Sequence, residues 1–541
     1  MGGKERCRRP SGFTPPVIRP PLIWPTPADI PPRRRKVNLQ DQRQYTPVMR
    51  TLAGQLRNIQ DALDALARRH RVPGATLAVG LGDELYDFAT GVLNVDTGVE
   101  TTPDSVFQIG SNTKVFTTTL VMQLVDSGQV DLDQPVRRYL KDFALADPTA
   151  AEEITVRQLL THTSGIQGDY FQGFGRGDEA IERYVASLAG VGLVHRPGQM
   201  WSYCNSGFVV AGRLAEVVTG KTFGQLLKEK ICQPLGLERT SLLAEEMVAQ
   251  RCAAGHVPGP GGEPVLPPVV LMQYAQAPAG SRTTATAAEL VRFVQMHLHS
   301  GLSPDGDKVL SPASAAAMQE VQVTRPLLTT SPLAAQGLGW ALQQWDDKRV
   351  IGHGGGTIGQ LSFLQCVPEE QLVVALFTNS ATGGKVWLEL GRWLFDQLAG
   401  VEMARALEPP PTPPRLNLAR YTGTYERLGV RQVVSEDGDG LVVQLELTDV
   451  PDELRPPQPP PPVKLRPIDG ERFGARLDGV NDVVAFLDVE RGRPSYLFAG
   501  GRAAPRTAGR RPPAAKRDAK PDAKRDANRD GSRRSSPAKR A

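Results

Sequence analysis

The stretch QIGSNTKVFTTTLVMQLVDSG (108–128) places a hydroxyl and an amine at the start of an apolar helix. Ser111 and Lys114 are three residues apart, and residues at that spacing share one helical face. Ser111 follows a strand-like VFQIG, so we expect it at the positive end of a helix dipole, beside a lysine whose burial lowers its pKa. The spacing alone is weak evidence, because SPAK (536–539) in the C-terminal tail matches it too. A capping serine beside a lysine that reaches solvent is the simpler interpretation of this pair taken alone.

A second segment with chemical potential is WSYCNSGF (201–208). Tyr203 and Asn205 lie on the same side of an extended chain, since side chains alternate along it. A tyrosine beside an ammonium can ionise and act as a general base, and an amide can bind an acyl group or hold the lysine. The structural alternative is a buried aromatic residue followed by a helix N-cap. Cys204 between them is either a small buried residue or a thiol that makes the site sensitive to oxidation.

The third segment is GHGGGTIGQLSFLQC (352–366), whose glycines have the spacing of a dinucleotide-binding fingerprint. That fingerprint requires a helix next, and a strand-like run follows instead, so we reject a dinucleotide site. Glycines in a strand favour the close approach of a ligand backbone, and the strand's N–H groups can act as oxyanion donors. His353 beside them could bind a carboxylate or pass a proton.

Together the three segments resemble the serine β-lactamase and penicillin-binding-protein superfamily. The resemblance is strongest to the class C β-lactamase-like branch, with its D-alanyl-D-alanine carboxypeptidases, D-amino-acid amidases and esterases. VRQLLTHTSGI (156–166) is also typical of that branch, and we interpret it as structural, with a helix that ends at Gly165. The resemblance covers about residues 50–400 and implies an α/β (α+β) fold, an antiparallel sheet flanked by helices with a largely helical subdomain.

The resemblance also implies a role for each matching residue. Ser111 would be the acylated nucleophile, and Lys114 and Tyr203 would share the proton transfers, with the choice of base left open. The oxyanion hole would consist of the backbone N–H groups of Ser111 and Gly356. No cofactor and no metal ion is implied. The residues implied for substrate binding are Asn205, His353 and Gly355.

The expected activity is therefore that of a serine hydrolase that cleaves a small ester or amide through a Ser111 acyl-enzyme. Penicillin targets usually carry a lysine where this chain has His353, which is only partly charged at pH 7. This difference favours an esterase or amidase over a β-lactamase or a D-alanyl-D-alanine carboxypeptidase or D-aminopeptidase. The alternative of another class is a non-catalytic binding protein that uses the same cleft.

Composition limits the remaining possibilities. The net charge is +5, but the two ends of the chain are strongly basic, so the body between them is acidic. We therefore do not expect the body to bind nucleic acid. The five cysteines form no CxxC pair and no disulfide framework. No apolar run reaches the length of a membrane span and the N-terminus lacks a signal-peptide core, so a cytoplasmic location is predicted.

The chain is expected to divide into domains at its proline-rich and charged segments. The sequence leaves the oligomeric state open. The basic tails could contact nucleic acid or anionic lipid, but a solubilising role is the favoured interpretation. The predicted segments are a disordered basic arm (1–45), a β-lactamase-like hydrolase domain (46–405), a proline-rich linker (406–415), a small antiparallel β-barrel (416–505) and a disordered basic tail (506–541).

Overall fold

The structure is a computed structural model that describes residues 42–82, 84–449, 459–477, 480–490 and 492–507. The predicted disorder of the N-terminal arm, of nearly all of the C-terminal tail and of most of the proline run at 455–462 therefore lies outside the described residues. The described chain divides after Asn58 into two units, and helix α1 (Gln42–Arg69) contributes to both. Helix α1 begins before residue 46, the predicted start of the hydrolase domain. The described helices and strands after Arg69 all lie in the second unit.

The first part of this unit is built on one antiparallel sheet with the strand order β2-β1-β12-β11-β10-β9-β8-β7. Strand β1 pairs with β12, so that Leu77 lies opposite Leu376. The predicted antiparallel sheet is confirmed, and its strands come from both ends of the body. The strands are β1 (Gly74–Leu81), β2 (Glu84–Gly91), β7 (Val323–Thr324), β8 (Ala334–Gln336), β9 (Ala341–Trp345), β10 (Lys348–Thr357), β11 (Gln360–Val367) and β12 (Leu372–Thr378). Two short pairs lie apart from it: β3 (Phe107–Gln108) with β6 (Thr284–Ala285), and β4 (Val257–Pro258) with β5 (Pro264–Val265).

Helices cover this sheet and fill the segment between β2 and β7. Strand β12 is buried along its whole length, as expected for an apolar run that is covered by packed helices. The apolar helix of the opening stretch packs in the core, where Phe116 stacks on Phe293 with ring centroids 3.8 Å apart. The helices are α2 (Thr113–Asp126), α3 (Pro148–Glu153), α4 (Val156–Leu160), α5 (Ala180–Ser187), α6 (Asn205–Thr219), α7 (Phe223–Leu227), α8 (Ala244–Met247), α9 (Ala287–Leu298), α10 (Pro312–Met318) and α11 (Gly383–Ala399).

The helix in VRQLLTHTSGI ends earlier than predicted. Helix α4 stops at Leu160 rather than at Gly165, and the next residues form a turn in which His162 has a φ of 59°. Gly165 has a φ of 76°, and a Cβ atom there would lie 2.1 Å from the carbonyl oxygen of His195. The glycine is therefore needed for a close backbone approach, not for capping the helix.

The C-terminal part of the described chain is a closed antiparallel barrel of eight strands, β13 to β20. Strand β13 closes the barrel by pairing with β20, where Tyr425 lies opposite Arg506. Aromatic side chains fill the interior, and Tyr421, Phe473 and Phe486 contact one another. The predicted small barrel is confirmed. Its strands are β13 (Gly423–Arg427), β14 (Val430–Asp437), β15 (Gly440–Leu447), β16 (Val463–Pro467), β17 (Arg472–Leu477), β18 (Val480–Glu490), β19 (Arg493–Ala499) and β20 (Arg502–Thr507).

In the part of the chain that the structure describes, no helix is both long enough and apolar enough to span a membrane.

Candidate active site

Ser111 lies in a single 3-10 turn, Gly110–Asn112, that leads directly into α2. This turn packs tightly against strand β10. Gly110 has a φ of 51°, and a Cβ atom on it would lie 2.5 Å from the backbone nitrogen of Gly356. The fold therefore brings the predicted nucleophile next to the predicted oxyanion donor, although they are far apart in sequence.

Lys114 is completely buried at the base of this turn. Its Nζ donates to Asn205 Oδ1 at 2.7 Å and to the carbonyl oxygen of Ala279 at 2.5 Å, and it lies within hydrogen-bond distance of Ser111 Oγ at 3.0 Å. All three oxygen partners are uncharged. Burial lowers the pKa of Lys114 well below its ordinary value, and the charge of Arg502 lowers it further. The structural alternative, a lysine that reaches solvent, is therefore excluded.

Tyr203 and Asn205 meet Lys114 from the other side. The ring centroid of Tyr203 is 4.9 Å from Lys114 Nζ, and Asn205 is the first residue of α6. Burial raises the pKa of Tyr203 above its ordinary value, against a smaller opposing effect of its hydrogen bond with Ser111. The Asn205 carboxamide holds the lysine through its oxygen, which was one of the two roles left open for it.

Cys204 caps α6 in place of Asn205. Its Sγ accepts a hydrogen bond from the backbone N–H of Gly207 at 3.2 Å, and the thiol is buried. Burial raises the pKa of this thiol to about 11, so it stays protonated at neutral pH. These observations favour the interpretation as a small buried residue over that of an oxidation-sensitive thiol.

The third predicted segment forms the end of β10 and most of β11, and its His353 and Gly355 lie on β10 next to the Ser111 turn. Burial lowers the pKa of His353 to about 3, and the charge of Lys114 contributes, so the imidazole is neutral at pH 7 rather than partly charged. Its Nδ1 is 2.7 Å from the carbonyl oxygen of Gly354. A Cβ atom on Gly355 would lie 2.0 Å from the carbonyl oxygen of Ile109. At this glycine the approaching backbone belongs to the protein itself, not to a ligand as the sequence suggested.

His162 is a neighbour of the site that the sequence analysis treated as purely structural. Its ring stacks on Tyr203 with centroids 4.3 Å apart, and its Nδ1 accepts a hydrogen bond from the backbone N–H of Cys204 at 2.9 Å. Burial, followed by the charge of Lys114, lowers the pKa of His162 well below its ordinary value. This neutral imidazole fixes the position of the tyrosine ring.

The C-terminal barrel also reaches the site, which the sequence analysis did not anticipate. Asp169 accepts hydrogen bonds from Arg427 Nη1 and Arg502 Nε, both at 2.7 Å, and from Asn205 Nδ2 at 3.0 Å. The guanidinium carbon of Arg502 is 4.9 Å from the ring centroid of Tyr203. No local signal could have found these pairs, because the two arginines are 258 and 333 residues from Asp169 in the chain.

The site thus joins a hydroxyl, a buried amine, a buried phenol and a strand carrying backbone N–H groups. A neutral amine within hydrogen-bond distance of a hydroxyl can accept its proton as the oxygen attacks a carbonyl carbon. Backbone N–H groups on the adjoining turn and strand can stabilise the oxyanion that forms.

Comparisons with known proteins give a family match and a relative of high sequence identity. The family described as Beta-lactamase matches residues 58–399. The chain is 44% identical over 371 residues to Penicillin-binding protein 4 of Amycolatopsis lactamdurans, covering 68% of this chain and 97% of that protein.

Solved structures extend the likeness. SurE is 27% identical with a TM-score of 0.67 and covers 84% of this chain and 100% of its own. The D-amino acid amidase of Ochrobactrum anthropi SV3, solved with D-phenylalanine, is 25% identical with a TM-score of 0.52. That likeness covers 62% of this chain and 98% of the amidase.

Proposed function

This chain belongs to the β-lactamase family and is a serine hydrolase that acts on amides or esters, and we propose that it does so through an acyl-enzyme on Ser111. The observation that carries the proposal is the hydrogen bond of 3.0 Å between Lys114 Nζ and Ser111 Oγ, made by an amine buried among uncharged acceptors. A serine hydroxyl is a weak nucleophile at neutral pH and needs such a neighbouring base.

In the proposed mechanism Lys114 is the base of the acylation step. Its lowered pKa supports this role, because a neutral amine can take the Ser111 proton as Oγ attacks the carbonyl carbon. The raised pKa of Tyr203 supports the complementary role. A protonated phenol next to the nucleophile would donate its proton to the departing amine or alcohol and recover one from Lys114. Water then hydrolyses the ester on Ser111 by the same steps in reverse.

The oxyanion would be held by the backbone N–H groups of Ser111 and Gly356. The tight contact between Gly110 and strand β10 supports this pairing, since it sets the two nitrogens on adjoining segments. The loss of one such donor typically costs about 2.7–4 kcal/mol of transition-state stabilisation.

We further propose that the acyl part of the substrate carries a D-configured amino-acid residue. SurE has been solved with D-Leu, and the neighbour solved with D-phenylalanine is named a D-amino acid amidase, although that amidase has also been solved with L-phenylalanine and with L-phenylalanine amide. A second candidate is acylation by a penicillin, which the name of the 44% identical relative favours. The neutral His353 argues against it, because it offers no fixed positive charge for a substrate carboxylate.

The test of the nucleophile is covalent labelling. The protein is treated with a fluorophosphonate, and the modified peptide is identified by mass spectrometry. We expect one adduct on Ser111, and Ser111→Ala should abolish it and lower ester turnover on the order of 10⁶-fold. Ser127→Ala, at the exposed far end of α2, is the matched control and should label normally. If the folded wild-type protein stays unlabelled under conditions that label a control serine hydrolase, the result would favour the non-catalytic binding protein instead.

The substrate is tested with a small panel. Amides of D- and L-phenylalanine, a p-nitrophenyl ester and a penicillin are compared by kcat/KM. Preference for the D-amide supports the proposed substrate class. Preference for the L-amide, or faster acylation by penicillin, would overturn it and leave the nucleophile assignment intact.

A further inference from the structure

The closest charges to the buried amine come from the body and from the barrel together. The Asp169 side chain is 11% exposed and binds two barrel guanidinium groups, those of Arg427 and Arg502. Two hydrogen bonds through Asn205 link Asp169 to Lys114, one at each end of the carboxamide. The carboxylate is therefore a single side chain away from the proposed base.

Arg502 is held against the same site by its backbone neighbour. The carbonyl oxygen of Gly501 accepts a hydrogen bond from the backbone N–H of Tyr203 at 2.9 Å. The guanidinium then lies over the Tyr203 ring while its Nε and Nη2 bind Asp169. This geometry fixes the distance between the Arg502 charge and Lys114, and it depends on the barrel being in place.

The remaining titratable groups around Lys114 are uncharged at neutral pH. Burial keeps the phenol of Tyr203 and the thiol of Cys204 protonated. It keeps the imidazoles of His162 and His353 neutral, with help from the charge of Arg325. Among the described residues, the formal charges that shift the pKa of Lys114 are those of Arg502 and Asp169. Arg427 acts through Asp169, to which it is hydrogen-bonded.

A lone carboxylate at the position of Asp169 would stabilise the ammonium form of Lys114 and so weaken it as a base. Two guanidinium groups reverse this effect, because the cluster of one negative and two positive charges has a net charge of +1. We infer, on the basis of the proposed function, that Arg502 and Asp169 are positioning residues that set the protonation of Lys114. The barrel is then an electrostatic part of the catalytic site.

The inference predicts opposite effects from the two partners of one ion pair. Arg502→Gln removes a positive charge, so Lys114 should hold its proton more tightly. Asp169→Asn removes the negative charge and should have the reverse effect. The rate of Ser111 labelling by a fluorophosphonate is measured from pH 4 to 10. We expect the acid limb of the profile to move up by about one pH unit in R502Q and down by about one unit in D169N.

Two further variants separate charge from folding. Arg431 lies on the exposed surface of the barrel, where it pairs with Glu426 and Glu446, so Arg431→Gln should keep the wild-type profile. The double variant D169N/R502Q keeps the net charge of +1 through Arg427 and should return the acid limb close to its wild-type position. Thermal unfolding of each variant shows which samples are folded.

The outcomes distinguish the inference from the function on which it rests. Acid limbs that move in the same direction, or rates that fall with no movement, would overturn the inference and leave Ser111 as the nucleophile. A wild-type protein without any Ser111 labelling would overturn the proposed function itself, and the charge relation with it.

Discussion

Lys114 and Asp169 are two ionisable side chains, largely removed from solvent, that are linked by the carboxamide of Asn205. The surroundings of Lys114 favour its neutral form, whereas those of Asp169 favour its charged form. Lys114 meets three uncharged oxygens, and burial lowers its pKa well below the ordinary value. Burial would raise the pKa of Asp169, but the charges of Arg502 and Arg427 outweigh it, and the pKa is lowered. Desolvation favours the uncharged form of both groups, so the partners of each group, not its depth of burial, determine which one stays charged.

The difference also separates the two halves of the second unit. The body supplies neutral hydrogen-bond acceptors around the amine, and the barrel supplies positive charges around the carboxylate. Uncharged neighbours favour the neutral form of Lys114, which it needs in order to act as a base. Positively charged neighbours keep Asp169 ionised, so that it can bind the barrel arginines. The difference between the two side chains can be tested, because a single substitution removes either the amine of Lys114 or the carboxylate of Asp169.

The largest effect is expected from the substitution of Lys114, and it is an effect on the catalytic rate. Lys114→Met keeps the length of the side chain but removes the amine, so p-nitrophenyl ester kcat/KM should fall about 10²–10⁴-fold. Lys141→Met, on an exposed lysine, is the control and should keep the wild-type rate. A fall smaller than tenfold in K114M would assign the base to another group.

The next largest effect is expected from the substitution of Asp169, and it is an effect on the free energy of unfolding. Asp169→Ala leaves two buried guanidinium groups without their counter-charge and should lower the free energy of unfolding by about 3–5 kcal/mol. Asp133→Ala removes an ion pair of the same type with Arg157, but there the carboxylate is 68% exposed, and we expect at most about 1 kcal/mol. Urea unfolding of both variants measures the contrast. Equal losses would show that the burial of Asp169 has no energetic consequence.

The smallest effect is a pH dependence of stability. The folded-state pKa of Lys114 is lowered, so between that pKa and the ordinary value of about 10.4 the unfolded chain binds one more proton at this residue. Stability contributed by this residue therefore rises with pH. The free energy of unfolding of the wild type relative to K114M should increase with pH between these two values, by at most about 1.4 kcal/mol per pH unit. A difference that stays constant over this range would mean that Lys114 is protonated in the folded protein.

Much of the architecture was predictable from local patterns. The motif segments resembled a family with an antiparallel sheet flanked by helices, and such a sheet is present, with β1 paired to β12. The end of α4 was misplaced, because the glycine at 165 serves a contact with His195 that lies outside the local pattern. For the same reason Gly355 was assigned to a ligand approach although it accommodates Ile109.

The candidate site was predictable where motif residues carry it and unpredictable where long-range packing does. Ser111, Lys114, Tyr203 and Asn205 came from their spacing and order, and the structure brings them together. Arg502 belongs to none of these motif segments. Its position over Tyr203 exists only once strand β20 has closed the barrel.

The sequence by itself determined which groups are available: a serine and a lysine on one helical turn, a tyrosine before a second helix, and a glycine-rich strand. The tertiary structure alone decided their charge states, since these depend on desolvation and on neighbours hundreds of residues away. A residue type specifies an ordinary pKa, and only the packed environment shifts it. That is why Lys114 could be found in the sequence, while the lowered pKa of its amine is a property of the fold.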